Sequence, residues 1–245
     1  IYNMNLKHDI ESKNITYQNS NPFPHIILDD FLPKQILVKL VEYSKSLKLE
    51  NCCNNRLPPN KNTQYKYAYQ NFLEYPNEIK MVFNYLNSDS FISKLEKLTG
   101  ISNIISNNTS LEGGGFHKIT NNGFLNLHTD FNNYADKNLG SLDRRINILI
   151  YLNPGWKEEY KGHLWLCNKN TKKIEKKILP ILNRCVIFNT TNESIHGHPE
   201  RLNVPETITR DSLALYYYTR GSNNNLDFEG DKYHSTIYYN TNDFS

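Results

Sequence analysis

The stretch Arg144-Arg-Ile-Asn-Ile-Leu-Ile-Tyr-Leu-Asn-Pro-Gly-Trp156 is a short apolar run that Pro and Gly bring to an end. Runs of this length and composition are typical of β-strands. Similar short runs, separated by Gly, Asn and Pro, fill the chain after Gly100. We therefore predict an all-β sandwich or barrel, of the double-stranded β-helix (jelly-roll) type. The predicted strands are 102–109, 114–119, 124–129, 145–152, 163–167, 174–179, 184–188, 194–198 and 209–219.

The first hundred residues have a helical pattern instead. The segment from Pro22 to Pro33 predicts a strand followed by a helix start. From Lys34 to Leu49, apolar residues recur every three or four positions, which indicates an amphipathic helix. Residues 51–66 resemble a loop, and a second helix is predicted at 77–98, ending at Gly100. We expect one domain over 1–220, with helical support in 1–100, a jelly-roll core in 101–220 and a C-terminal extension, 221–245.

Composition excludes several classes of protein. A net charge of +3 over 245 residues is too mild to indicate nucleic-acid binding. The densest basic run, Lys169–Lys177, lies between apolar segments and is predicted to form a solvated hairpin tip. No apolar stretch reaches the length of a membrane span, and the N-terminus lacks the pattern of a signal peptide. We expect a soluble cytoplasmic protein without nucleic-acid or membrane partners, and the sequence leaves its oligomeric state open.

The four cysteines at positions 52, 53, 167 and 185 form neither a CxxC pair nor a regular framework. Adjacent cysteines cannot easily bridge each other. We therefore predict free thiols in a reducing compartment.

His128 and Asp130 stand two residues apart in Phe-Leu-Asn-Leu-His-Thr-Asp, within a predicted strand. Side chains at this spacing point to the same face and can hold one ion from one side. Ser194-Ile-His196 offers a third ligand from a distant strand, although His198 shares the parity of His196 and is a rival. Two His and one carboxylate leave the opposite face of an octahedral ion open, as in non-haem Fe(II) oxygenases. The pattern predicts an iron oxygenase.

The order of these segments, from Pro22-Phe-Pro-His onward and including Lys161–Leu166 and Asn183–Phe188, closely resembles one branch of a known family. This is the prolyl-4-hydroxylase-like branch of the 2-oxoglutarate and Fe(II)-dependent oxygenases, and the resemblance covers residues 22–220. It implies hydroxylation of an unactivated C–H bond, coupled to decarboxylation of 2-oxoglutarate to succinate and CO₂. The implied cofactors are Fe(II), 2-oxoglutarate as co-substrate and O₂, with ascorbate as a candidate accessory reductant.

The same resemblance implies the site residues. The catalytic metal triad would be His128, Asp130 and His196, and the retained carboxylate favours hydroxylation, because halogenating members of the superfamily lack it. Arg210 and Tyr151 would hold the far carboxylate of 2-oxoglutarate, a task that suits a planar guanidinium. Two more residues share that face and are expected to line the co-substrate pocket, namely Ser212 and Asn147.

The chain departs from the family pattern in two places. Gly162-His163 stands where many relatives have Gly-Gly, and the segment from His196 to Arg210 is longer than in the compact prolyl hydroxylases. Arg201, within this longer segment, is the rival anchor for the co-substrate. These departures leave the substrate open: a prolyl peptide, a free amino acid, a sugar or a natural-product intermediate.

Two other classes of protein are compatible with the same pattern of predicted strands. One is a jelly-roll sugar- or metal-binding module without oxygenase activity, which has no reason to need Arg210 opposite a His-Asp pair. The other is an interaction protein with a decayed oxygenase site, which the intact triad argues against. The remaining histidines are predicted to line the pocket or a strand face (His117 and His163) or to have ordinary roles (His8 and His25).

Overall fold

The computed structural model describes residue 4 and residues 6–52, 61–108, 111–221 and 233–245. In this part of the chain, strands form one curled sheet in the order β1-β8-β5-β10-β3-β9-β6-β7, with β2 and β11 added to β3 and β4 added to β5. The predicted mainly β architecture with helical support is confirmed. The strands are β1 (His25–Leu28), β2 (Thr63–Tyr69), β3 (Gly115–Thr129), β4 (Asn133–Asp136), β5 (Gly140–Tyr151), β6 (Leu164–Cys167), β7 (Ile174–Ile178), β8 (Cys185–Asn189), β9 (Ile195–His198), β10 (Arg210–Arg220) and β11 (Ile237–Tyr238).

Strand β3 joins the two walls of the curled sheet. Its first half pairs with β10 and its second half with β9, so a single strand of 15 residues belongs to both. We predicted two strands, 114–119 and 124–129. The chain instead continues through Asn122, whose φ of 62° is left-handed and suits Asn better than most residues. This irregularity resembles a turn in the sequence but only bends the strand.

Strand β5 separates the hydrophobic core from the pocket. Ile146, Ile148 and Ile150 point to one face and pack in the large core together with the helices. Asn147 and Tyr151, on the alternate parity, point to the opposite face. Both faces are buried, which explains the nearly continuous apolar run in the sequence. Burying each isoleucine contributes roughly 1.5–3 kcal/mol, so this face anchors the sheet to its helical support.

The helices that cover this core begin and end at recognisable residues. They are α1 (Asn14–Gln18), α2 (Lys34–Ser46), α3 (Asn77–Leu86) and α4 (Asp89–Thr99). We predicted one helix over 77–98, but Ser88 divides it, because its side chain caps α4 by accepting a hydrogen bond from the backbone N–H of Phe91 at 3.3 Å. As predicted, Gly100 ends the helix, with a left-handed φ of 71°.

Four other segments differ from the predictions or extend them. Over residues 102–108, the predicted strand 102–109 is reduced to one isolated bridge between Ile104 and Thr219, and residue 109 lies outside the described part. The predicted loop 51–66 was wrong at its end, since β2 begins at Thr63; residues 53–60 lie outside the described part. Between the predicted strands 124–129 and 145–152, the chain also forms β4, which makes a hairpin with β5. In the C-terminal extension, β11 pairs with the end of β3.

The described cysteines fit their prediction, but the basic run fits only in its first half, because residues 174–177 lie in β7. Residues 168–173 form the turn between β6 and β7, which places the start of the run at a hairpin tip. The three described cysteines, Cys52, Cys167 and Cys185, are free thiols, and Cys53 lies outside the described residues. Within the described ranges, no helix is both long enough and apolar enough to span a membrane.

Candidate active site

The end of β3 and strand β9 bring the three predicted metal ligands together. His128 on β3 lies directly opposite His196 on β9, and their ring centroids are 4.4 Å apart. Asp130 follows the last residue of β3, so its carboxylate lies over the same face. In the described part of the chain, these three residues form the one cluster of His, Cys, Asp or Glu that could hold a metal ion, with ligand atoms within 4.8 Å of one another.

The two imidazole rings are oriented for metal binding. The Nδ1 atom of His128 is 2.8 Å from the carbonyl oxygen of Asn126, and the Nδ1 atom of His196 is 2.8 Å from that of Ser194. When Nδ1 of each ring carries the proton, this N–H donates to the carbonyl oxygen, and the Nε2 lone pair is free for an ion. Each Nε2 atom lies 3.5 Å from a carboxylate oxygen of Asp130. This donor set of two nitrogens and one carboxylate fits Fe(II).

The protonation states in the cluster also suit a cation. Burial alone would raise the pKa of Asp130, but the charges of Arg144 and the two histidines outweigh it, and the pKa lies well below its usual value. Burial lowers the pKa of His196 to about 4. At neutral pH, Asp130 is therefore anionic and His196 is neutral, which are the forms that bind metal.

Arg144 and Asn147 hold the carboxylate of Asp130 in place. Its Oδ2 atom accepts hydrogen bonds from Arg144 Nη2 at 3.0 Å and from Asn147 Nδ2 at 2.6 Å. Asn147 Oδ1 in turn accepts from Arg144 Nε and Nη2 at 3.0 and 2.7 Å. The guanidinium is fully buried and lies between the rings of Phe131 and Tyr216. Such outer contacts fix the direction of a ligand and tune the affinity for metal.

Sequence reasoning assigned no role to Arg144, for a structural reason. Alternation along β5 from Asn147 and Tyr151 points Arg145, not Arg144, into the pocket. A register shift between β5 and β10 inserts one extra residue at this point, so Arg144 pairs with Tyr218 while Ile146 pairs with Tyr217. This β-bulge reverses the parity and turns Arg144 inward. No short-range signal in the sequence marks the bulge.

Arg210 lies at the start of β10 and is 4% exposed. Its Nε atom donates to the carbonyl oxygen of Gly162 at 2.8 Å, and its Nη2 atom is 3.5 Å from the hydroxyl oxygen of Tyr151. A Cβ atom on Gly162 would lie 3.0 Å from Arg210 Cδ and 2.6 Å from Leu202 Cδ2, so glycine makes room for the arginine side chain. Burial raises the pKa of Tyr151, which keeps its hydroxyl protonated and able to donate.

One cavity connects the metal cluster to Arg210. Besides the three candidate ligands, its lining includes Arg210, Ser212 and Asn147. Tyr151 does not line the cavity itself; it pairs with Ser212 across the strands and reaches the site through Arg210. The structure thus brings all seven predicted site residues to one end of the curled sheet.

The rival residues occupy other positions. His198 lines the cavity but lies outside the metal cluster. Arg201 Nη1 instead donates to Gln64 Oε1 and to the carbonyl oxygen of Asn122, both at 3.0 Å. His163 Nε2 is 2.9 Å from a carboxylate oxygen of Glu158, away from the cavity lining. The predicted lining role of His117 is confirmed.

Lys66 also lines the cavity, although its segment has the composition of a loop and predicted no site residue. It lies on β2 opposite Ile119 of β3, which itself pairs with Arg210 on β10. Burial lowers the pKa of Lys66 to about 8. Its position within a run rich in Asn and Lys gave no periodic signal for a strand.

Comparisons with known proteins agree with this geometry. Residues 114–218 match the model of the 2OG-Fe(II) oxygenase superfamily. This segment extends from the start of β3 into β10 and contains all seven predicted site residues. No curated protein sequence is significantly similar to the chain.

Several solved structures share the fold. One is a prolyl hydroxylase from Trichoplax adhaerens in complex with a peptide fragment of the hypoxia inducible factor oxygen degradation domain; it is 18% identical, with a TM-score of 0.60 over 86% of this chain and 89% of that chain. A prolyl-4-hydroxylase from Pseudomonas putida is 15% identical, with a TM-score of 0.57 over 86% of this chain and 98% of that chain. HygX from Streptomyces hygroscopicus, with nickel, 2-oxoglutarate and hygromycin B bound, is 10% identical, with a TM-score of 0.55 over 95% and 99%.

At these identities the solved structures show the fold, which is the jelly roll of prolyl hydroxylases. The match to the family model and the His-Asp-His cluster indicate Fe(II), 2-oxoglutarate and O₂ as the cofactors. Residues 114–218 of this chain are therefore similar to the 2OG-Fe(II) oxygenase superfamily, and the chain has a prolyl-4-hydroxylase-like fold.

Proposed function

We propose that His128, Asp130 and His196 bind Fe(II) and that the enzyme hydroxylates an unactivated C–H bond of its substrate. The observation that carries this proposal is the convergence of the three ligand atoms within 4.8 Å, in the cavity that Arg210 also lines. Bound Fe(II) with 2-oxoglutarate supplies the oxidation, in which 2-oxoglutarate becomes succinate and CO₂.

The other proposed roles belong to residues at the Arg210 end of the cavity. Arg210 holds the C5 carboxylate of 2-oxoglutarate through its terminal amino groups, because its Nε is occupied by Gly162. Tyr151 orients the guanidinium and donates its hydroxyl to the same carboxylate, and Ser212 lines that end of the cavity. Asn147 acts by positioning Asp130 and Arg144, because its amide is hydrogen-bonded to both side chains.

Asp130 supports hydroxylation over halogenation. A halide needs a coordination position that a carboxylate ligand otherwise occupies. Here the carboxylate is present and held by two donors, Arg144 and Asn147.

For the substrate, we propose a prolyl residue of a peptide. Support comes from the relative with the TM-score of 0.60, which carries a bound peptide fragment. A small molecule is the second candidate, since HygX binds hygromycin B. We also propose that residues 1–220 form one oxygenase domain and that 221–245 is an extension, whose Tyr238 lies beside His128 with ring centroids 5.6 Å apart.

The test is succinate formation from 2-oxoglutarate with Fe(II), ascorbate and O₂, measured alone and with pools of prolyl peptides, free amino acids and nucleotide sugars. We expect stimulation by the prolyl peptides. His128→Ala and Asp130→Ala should abolish turnover, whereas His8→Ala, at a histidine outside the cavity lining, should not. Normal turnover in either ligand variant would refute the assignment, and stimulation by another pool alone would replace the proposed substrate.

A further inference from the structure

Four histidines line the cavity, and one of them, His198, has no role in the proposed chemistry and no hydrogen-bond partner among the described residues. It lies at the end of β9, two residues beyond the candidate ligand His196, and is 4% exposed. Its backbone pairs with Leu125, and its side chain lines the same cavity as the metal cluster. A buried imidazole at this place needs an explanation in terms of hydrogen bonds.

His198 has unfulfilled hydrogen-bonding capacity. Among the residues that the structure describes, neither Nδ1 nor Nε2 of His198 has a hydrogen-bond partner. By contrast, the Nδ1 atoms of His128 and His196 each contact a backbone carbonyl oxygen. A buried polar group without a partner is costly to the folded state, so His198 is placed for a partner that the protein itself does not supply.

The position of His198 indicates which end of the cavity that partner occupies. On β9, His196 pairs with Leu166 of β6 and Gly197 pairs with Trp165, so His198 lies further toward Leu164 and Gly162. The carbonyl oxygen of Gly162 accepts the hydrogen bond from Arg210 Nε. His198 is therefore on the Arg210 side of the cavity, two residues along β9 from His196 of the metal cluster.

The charges around His198 favour an anionic partner. The guanidinium of Arg210 and the side chain of Lys66 line the same cavity as His198, so basic groups surround this end. The imidazole ring offers an N–H donor in its neutral form and in its charged form. A carboxylate held by Arg210 has more lone pairs than two guanidinium N–H groups and one phenol can fill, so it can accept a further hydrogen bond.

We propose that His198 is a further 2-oxoglutarate-binding residue, which donates a ring N–H to the C5 carboxylate held by Arg210. This inference rests on the proposed function of Arg210 as the co-substrate anchor. His198 is thus a binding residue of the co-substrate and not a ligand of the metal.

Binding of 2-oxoglutarate to the Fe(II)-loaded protein under anaerobic conditions tests the proposal without turnover. In His198→Leu, we expect the Kd of 2-oxoglutarate to rise by about 10- to 100-fold, as for a lost hydrogen bond to a charged group. The matched ligand is 2-oxopentanoate, which has the same 2-oxo acid head but a methyl group in place of the C5 carboxylate. Its Kd should be the same in wild type and variant, and so should the affinity for Fe(II).

Three further measurements make the test specific. His198→Gln keeps a donor near the position of Nε2 and His198→Asn keeps one near Nδ1, so rescue by one of them identifies the donating nitrogen. His25→Leu removes a buried histidine outside the cavity lining and should leave the Kd unchanged. If His198→Leu does not fold, the ring ¹⁵N resonances of His198 in the zinc-substituted wild type replace it: 2-oxoglutarate should shift them and 2-oxopentanoate should not.

Each other outcome overturns the proposal. An unchanged Kd in folded His198→Leu excludes the hydrogen bond, and an equal loss for both ligands places His198 at the other end of 2-oxoglutarate. A loss of Fe(II) affinity returns His198 to the role of a metal ligand. If the wild type itself shows no Fe(II)-dependent binding of 2-oxoglutarate, the proposed function fails as well, which separates that failure from a failure of His198 alone.

Discussion

Replacing Asn147 with leucine removes the shortest hydrogen bond to the proposed metal-binding carboxylate while keeping the number and branching of the side-chain heavy atoms. Asn147 is 2% exposed, and its Nδ2 donates to Asp130 Oδ2 at 2.6 Å. Its Oδ1 also accepts two hydrogen bonds from Arg144. The substitution therefore leaves Arg144 as the remaining donor of the two that hold Asp130. It also removes the acceptor that orients the Arg144 guanidinium, which can then turn away.

The magnitude follows from the kind of bond that is lost. A hydrogen bond to a charged group contributes about 1.5–3 kcal/mol, and loss of a residue that orients a metal ligand costs about 10- to 100-fold in metal affinity. The two estimates agree, since tenfold corresponds to about 1.4 kcal/mol. We expect the Kd for Fe(II) to rise by about 10- to 100-fold in Asn147→Leu.

The assay is an anaerobic competition titration of Fe(II) against a coloured chelator. Asn87→Leu is the matched control, because Asn87 is also buried, at 5% exposure, but bonds to the carbonyl oxygen of Phe83 at the end of α3. It should lower the free energy of unfolding without changing the affinity for Fe(II). A folded Asn147→Leu protein with wild-type Fe(II) affinity would show that the contact to Asp130 does not position the ligand.

Three more predictions test the co-substrate anchor, the backbone and the pH dependence. Arg210→Lys keeps the charge but loses the bidentate hydrogen bonding of the guanidinium, so the KM for 2-oxoglutarate should rise at least about tenfold with a smaller change in kcat. An unchanged KM in steady-state kinetics would exclude Arg210 as the anchor. Gly115→Ala should lower the free energy of unfolding by more than about 2 kcal/mol, because its Cβ would overlap the carbonyl oxygen of Tyr69. The control is Gly140→Ala, at a glycine with a similar φ and no atom within 4 Å of the added Cβ, which should lower the free energy of unfolding by only about 1–2 kcal/mol. Equal losses in urea denaturation would contradict the role of the close approach. Burial lowers the pKa of His25 below 6.5, so as pH falls below 6.5 the unfolded chain takes up the proton first and the free energy of unfolding falls, by at most about 1.4 kcal/mol per pH unit for this group. His25→Asn should make this fall shallower in urea denaturation at pH 5 to 6.5, and an unchanged slope would show that His25 does not contribute.

The metal cluster was predictable because two local rules determine it. Period-two alternation places His128 and Asp130 on one face, and the short strand β9 places His196 opposite His128. Arg210 was predictable by resemblance to the family, since it opens an apolar strand after the second histidine. The helices and most strands followed from the periodicity of their apolar residues.

Other features depend on pairing between distant segments. The β-bulge that turns Arg144 inward exists only because β5 shifts its register against β10. Lys66 reaches the cavity because β2 adds to β3, although its own segment has the composition of a loop. The break between α3 and α4 depends on a capping hydrogen bond of Ser88, which competes with continuation of the helix.

The sequence by itself determined the class of fold and the chemical identity of the centre, because strand alternation and ligand type are local properties of the chain. The tertiary structure decided which side chains surround that centre. Strand register brings Arg144 to Asp130, and it brings Lys66 of β2 and the unpartnered ring of His198 to the cavity. Register is set by contacts between residues far apart in the chain, and a shift of one residue turns every side chain of a strand to the opposite face.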